Sequence, residues 1–155
     1  MAQVDYKEIT IKWSYPKKFD MVLNSEMADH IGIYYISRKF GDKETLLYIG
    51  KTIASFESRL SDHKKKWLDN YRGTKYVRLG EIIEPKDMSV YDEAGYINDA
   101  EKTIIFFLEQ VLKKEIPENV TSTKSTYVIQ DLIINNVGYR GELPKQIVIS
   151  EEYNA

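Results

Sequence analysis

The sequence predicts an α+β domain built on a small, mostly antiparallel three-stranded sheet flanked by helices, with N- and C-terminal elaborations. Three observations carry that expectation. Two β-rich runs, Ile31 to Ile36 and Thr45 to Ile49, face each other across Gly41-Asp42, which is the pattern of a β-hairpin. A stripe at helical spacing, Phe56, Leu60, His63 and Trp67, follows at once. A third apolar run and a long amphipathic segment then complete a ββαβα order.

Taken in order, Ile9 to Trp13 (ITIKW) alternates as a strand does, and Pro16 with the lysines after it stops the run. The hairpin comes next. Ser55 can cap a helix running from about Phe56 to Tyr71. Tyr76 to Ile83 (YVRLGEII) reads as the third strand of the sheet, closed by Pro85. Ala100, Ile104, Phe107, Leu108, Val111 and Leu112 give a helix from roughly Ile97 to Lys114 a broad apolar face, and Pro117 ends it. Tyr127 to Ile134 suits either a strand or a helix, and Gln146 to Ser150 suits a last strand. No repeat, linker or low-complexity tract divides the chain, so residues 1–155 read as a single domain.

At 155 residues the chain can bury a core without disulfides or structural metal. It has no cysteine, which excludes a disulfide scaffold, a zinc finger and a thiol nucleophile, and suits a reducing cytoplasm. The charged N-terminus does not resemble a signal peptide, and the longest apolar run, Ile104 to Leu108, is too short for a membrane span. Net charge is -2, yet it is unevenly spread. Lys51 to Arg78 holds eight Lys or Arg against three acids, and Glu81 to Glu118 holds ten acids against four Lys. A basic segment beside an acidic one can mark a phosphate-binding face next to a metal-binding one, though taken alone it more often reflects solvated helices of mixed charge.

The hairpin carries Gly32-Ile33-Tyr34, then thirteen residues, then Tyr48-Ile49-Gly50. Nine residues after Gly50 comes Arg59, one turn later His63, and on the later helix Glu101. This series resembles the GIY-YIG nucleases over about residues 31–119. The resemblance implies a metal-dependent endonuclease that hydrolyses DNA phosphodiester bonds, using Mg²⁺ or Mn²⁺. Tyr34, Tyr48, Lys51, Arg59, His63 and Glu101 would be its catalytic set, with Glu101 the metal ligand. Glu109, in LEQVL ahead of Pro117, is the competing glutamate. Asn119 stands where the family often has an asparagine, at a longer spacing, and is assigned to nucleic-acid binding.

These residue types suit the chemistry. Mg²⁺ keeps most of its waters, so one carboxylate can suffice. An arginine clamps phosphate oxygens by charge-assisted hydrogen bonds. His63 shares a helix face with Arg59 and could position a water or shuttle a proton, or could simply pack in its stripe. A tyrosine would need a nearby cation or metal to ionise near neutral pH, and Lys51 is a suitable cation. Lys64, Lys65 and Lys66 are candidates for DNA phosphate contact, or a solubilising face. Three settings compete: a restriction or defence nuclease, a homing nuclease and a repair nuclease; the short chain leans towards the first. A homodimer would let two sites cut both strands. The alternative from another class is a catalytically weak nucleic-acid-binding module.

Overall fold

The computed structural model describes residues 6–119 and 131–150. Its strands are β1 (Lys7–Trp13), β2 (Lys17–Lys18), β3 (Gly32–Phe40), β4 (Lys43–Thr52), β5 (Thr74–Glu84), β6 (Leu132–Gly138) and β7 (Gln146–Ile149). All seven belong to one curled, half-barrel sheet in the order β4-β3-β5-β1-β6-β7, with β2 paired to β5. The helices are α1 (Phe19–Val22), α2 (Phe56–Lys66) and α3 (Val90–Phe106).

This corrects the expected sheet. The three strands read from the sequence stand side by side as β4-β3-β5, all antiparallel. The sheet does not stop there: β1 continues it antiparallel to β5, and β6 adds parallel to β1. A parallel neighbour needs a long crossover and leaves no turn signature in the sequence. β6 also carries Asn135 and Asn136, residues poor in strand propensity, in its middle. Of the ambiguous run 127–134, residues 127–130 lie outside the described residues; Leu132 to Ile134 is strand.

The hairpin register positions the motif. Tyr34 sits opposite Gly50, and Ile36 opposite Tyr48. Period-two alternation sends Tyr34 and Ile36 to one face, with Val77 and Leu79, against α1 and α2. Ile33, Tyr35 and Ile49 go to the other face, where Ile97, Ala100, Ile104 and Leu108 of the α3 segment meet β1, β6 and β7. The sheet is thus buried on both faces.

Ser55 caps α2 by accepting from the Ser58 amide at 3.1 Å. The helix ends at Lys66, earlier than expected, and a 3-10 turn over Leu68–Asn70 follows. α3 begins seven residues before its expected start, because Ser89 accepts from the Asp92 amide and Asp92 and Glu93 oppose the helix dipole in the first turn. Its apolar face starts late, at Ile97, so periodicity alone misses the exposed opening turns. Past Phe106 the helix widens into a π-turn over Phe107–Val111.

Candidate active site

Gly50 opens the space in which the tyrosines lie, and Gly32 lets β3 pass close to β5. A Cβ on Gly50 would come within 2.4 Å of both the Tyr34 and Tyr48 rings. Tyr34 therefore lies flat across its cross-strand partner, a placement only glycine permits. Gly32 has φ +152°, and a Cβ there would stand 2.2 Å from the Gly80 carbonyl oxygen. With no Cβ on Gly50 between them, the Tyr34 and Tyr48 rings stack at 5.9 Å and 22°.

Helix α2 supplies the next layer. The Tyr34 hydroxyl is 2.7 Å from His63 Nε2, and Trp67 Nε1 donates to His63 Nδ1 at 2.8 Å. An indole N–H can only donate, so Nδ1 must be the bare nitrogen and Nε2 carries the proton. His63 Nε2–H therefore donates to the Tyr34 oxygen. The ring is only 7% exposed, and burial, with Arg59 second, pulls its pKa down to about 4. A neutral imidazole with both nitrogens occupied has no lone pair left for a water. His63 here orients Tyr34.

Arg59, one turn before His63, is half-buried and acts on both phenols. Burial pushes Tyr34 up, and Tyr48 pushes it further, while Arg59 pulls it back. Tyr48 is likewise raised, by burial first and by Glu101 second. Arg59 responds with a raised pKa of its own, Tyr34 being the largest cause. Without another cation both tyrosines stay neutral phenols at neutral pH.

Glu101 arrives from α3. Burial raises its carboxyl, against the opposing pull of Lys51, Lys102 and Arg59 in that order. Among the described residues no hydrogen bond or ion pair engages this carboxylate. Lys51, at the end of β4, hydrogen-bonds Asn98 Oδ1 one turn before Glu101 on the same helix. Tyr34, Tyr48, Lys51, Arg59 and Glu101 thus share one electrostatic neighbourhood built from β3, β4, α2 and α3. Glu109 does not share it: burial alone raises its carboxyl, and its Oε1 is buried in the π-turn without a partner among the described residues.

Other assigned residues fall elsewhere. Asn119 is fully buried, its amide donating to the Ile49 carbonyl and accepting from the Ile49 amide, both at 2.8 Å. Both ends of that side chain are used on the free edge of β4, so it braces the strand that carries Tyr48 and Gly50, and being fully buried it presents no atom to a nucleic acid. Lys64, Lys65 and Lys66 are exposed on α2, and Lys64 is paired with Asp20 at 2.9 Å. In the basic segment, Arg78 is committed to Glu44 at 2.6 Å. Sequence reading overlooked Asn98, which sits three residues before Glu101 and so on its helix face; it placed Trp67 in the same stripe as His63 but not its indole N–H, which selects the His63 tautomer.

Among the described residues no three His, Asp or Glu side chains gather as a metal cage. The donor set is instead a single desolvated carboxylate. That fits a cation that keeps most of its waters, and does not fit one that requires several protein ligands. No helix among the described residues is long and apolar enough to cross a membrane. No family model, curated protein or solved structure matches the chain.

Proposed function

We propose that this chain is a metal-dependent DNA endonuclease that hydrolyses phosphodiester bonds, working in a reducing cytoplasm. The observation that carries the reading is the convergence of two stacked phenols, Arg59, Lys51 and the Glu101 carboxylate, which has no hydrogen-bond or ion-pair partner among the described residues, on one spot. Arg59 and Lys51 would hold the non-bridging oxygens of a phosphodiester and offset the charge that builds there. The neutral hydroxyl of the half-buried Tyr48 would orient the phosphate or the attacking water by a hydrogen bond, with the fully buried Tyr34 stacked behind it. His63 would fix the Tyr34 hydroxyl, acting as a positioning residue. Glu101 would hold Mg²⁺ or Mn²⁺, which when bound lowers the pKa of its water and steadies the leaving oxygen.

Incubation with supercoiled plasmid tests this. The protein should nick or linearise the plasmid only with Mg²⁺ or Mn²⁺. Arg59→Ala and Glu101→Ala should abolish cutting, and Glu109→Ala should retain it. Discrete fragments would indicate sequence preference, as in a restriction or defence enzyme. Cutting that needs no divalent ion, or that survives Glu101→Ala, refutes the assignment. The second reading, a binding module with little activity, is favoured by the raised tyrosines and the fully occupied His63 ring. Retention of DNA without cleavage under every metal would establish it.

A further inference from the structure

Beside the charged cluster runs an open groove of ≈ 660 Å³. Lys51 and Arg59 line it together with Ile53, Tyr91, Ala94 and Gly95. Ile53 is 63% exposed and Tyr91 88% exposed, so neither is held by the core. A single exposed apolar side chain needs no explanation, but an exposed ring and an exposed isoleucine that share one groove with two cations do. Gly95 leaves the floor open, since a Cβ there would meet nothing within 4 Å.

Phosphate-seeking cations beside a free aromatic face form the combination that binds a nucleotide through both of its ends: backbone on the charges, base on the ring. In paired duplex the base faces are already stacked and cannot reach such a ring. We infer that the Tyr91–Ile53 groove takes the unstacked base next to the phosphate held by Arg59 and Lys51, so that the preferred substrate is DNA with an unpaired nucleotide at the cut, such as a bulge, flap or single strand. This rests on the nuclease reading. Tyr91 is then a specificity residue of that site. Because its side chain is 88% exposed, removing it leaves the fold intact.

The test compares cleavage of a fully paired duplex with that of the same duplex carrying one bulged nucleotide. The protein should cut the bulged substrate roughly tenfold faster, the size of one base–aromatic stack. Tyr91→Ala should bring the ratio to one, and Tyr91→Phe should keep it. A parallel measurement uses Glu101→Gln protein, which should bind without cutting, and 2-aminopurine at the bulge. Stacking on Tyr91 should quench its fluorescence, and adding Tyr91→Ala should restore it. Equal cutting of both substrates, with Tyr91→Ala unchanged and 2-aminopurine bright, overturns the inference and leaves the nuclease reading standing. Failure to cut either substrate while Tyr91-dependent quenching persists overturns the nuclease reading and supports the base-binding groove. Neither cutting nor quenching overturns both.

Discussion

The buried His63 should make the protein acid-labile in a defined window. Its ring is held neutral down to about pH 4, whereas in the unfolded chain a histidine protonates near pH 6.5. Between those values the unfolded state binds the extra proton, so stability must fall as pH falls through the window. His63 contributes its full share above pH 6.5 and nothing further is lost below about pH 4. From pH 7 to pH 5 the loss from this one group is about 2 kcal/mol. Other groups titrate nearby, so the measurement is a difference. Urea unfolding at pH 7 and at pH 5 would be compared for the native protein and for His63→Gln, which cannot titrate. The variant will be less stable at pH 7, but its loss on acidification should be smaller by about 2 kcal/mol. If both proteins lose the same stability within about 0.5 kcal/mol, His63 is not held neutral, and the tautomer derived from Trp67 is wrong.

Tyr34→Phe keeps the ring stack yet strands the His63 Nε2–H in the core; it should cost about 1–3 kcal/mol in urea unfolding and reduce cleavage. Gly50→Ala forces a methyl into two tyrosine rings and should cost about 1–3 kcal/mol, whereas Gly95→Ala, in open space on α3, should add about 0.5–1 kcal/mol; thermal melts of the pair read the contrast. Asn119→Ala unpairs both polar groups of the Ile49 peptide and should cost roughly 2–6 kcal/mol, while the affinity of still-folded protein for DNA, measured by anisotropy, stays unchanged. Glu101 has the opposite sign from His63: its raised carboxyl gives stability that is greatest at low pH and is lost as pH rises through the folded value. Glu101→Gln should therefore melt higher than the native protein at pH 7 without metal. Mg²⁺ at ten times its dissociation constant should raise native stability by about 1.4 kcal/mol and leave the variant unmoved.

The half of the fold that holds the site was legible because its signals are local. The hairpin announces itself through Gly41-Asp42, α2 through Ser55 and its stripe, and β5 through an apolar run stopped at Pro85. In the other half, β1 and β7 were legible as strands but their place in the sheet was not, because β1 finds its partner β6 more than a hundred residues away, in parallel, with no turn between them to read. Within the site, residue identity pointed to Tyr34, Tyr48, Arg59 and Glu101, and spacing left Glu101 and Glu109 as rivals. What separates them is distance through space from Arg59 and the tyrosines, which sequence does not encode locally. The roles of His63 and Asn119 depend on what their second polar atom touches, Trp67 in one case and the Ile49 peptide in the other. Those partners are fixed only by packing. Tyr91 escaped notice because an aromatic near a helix start carries no spacing signal until its groove is formed.

The charges at the site explain why these groups lie together even though the arrangement disfavours the fold. Burial raises both phenols and the Glu101 carboxyl, each a shift against the charged form. Arg59 is the one group that opposes all three, and the same guanidinium helps hold His63 neutral. A structural core would replace such a set by apolar side chains and gain stability. Here a half-buried cation, a carboxylate with no partner among the described residues and two neutral hydroxyls are kept beside an open groove. Their unmet needs are complementary to one kind of visitor: an anion for Arg59 and Lys51, a hydrated cation for Glu101, and a base for Tyr91. A metal-bound phosphodiester with one unstacked base supplies all three at once, whereas a peptide or an uncharged ligand would leave at least one of them unanswered.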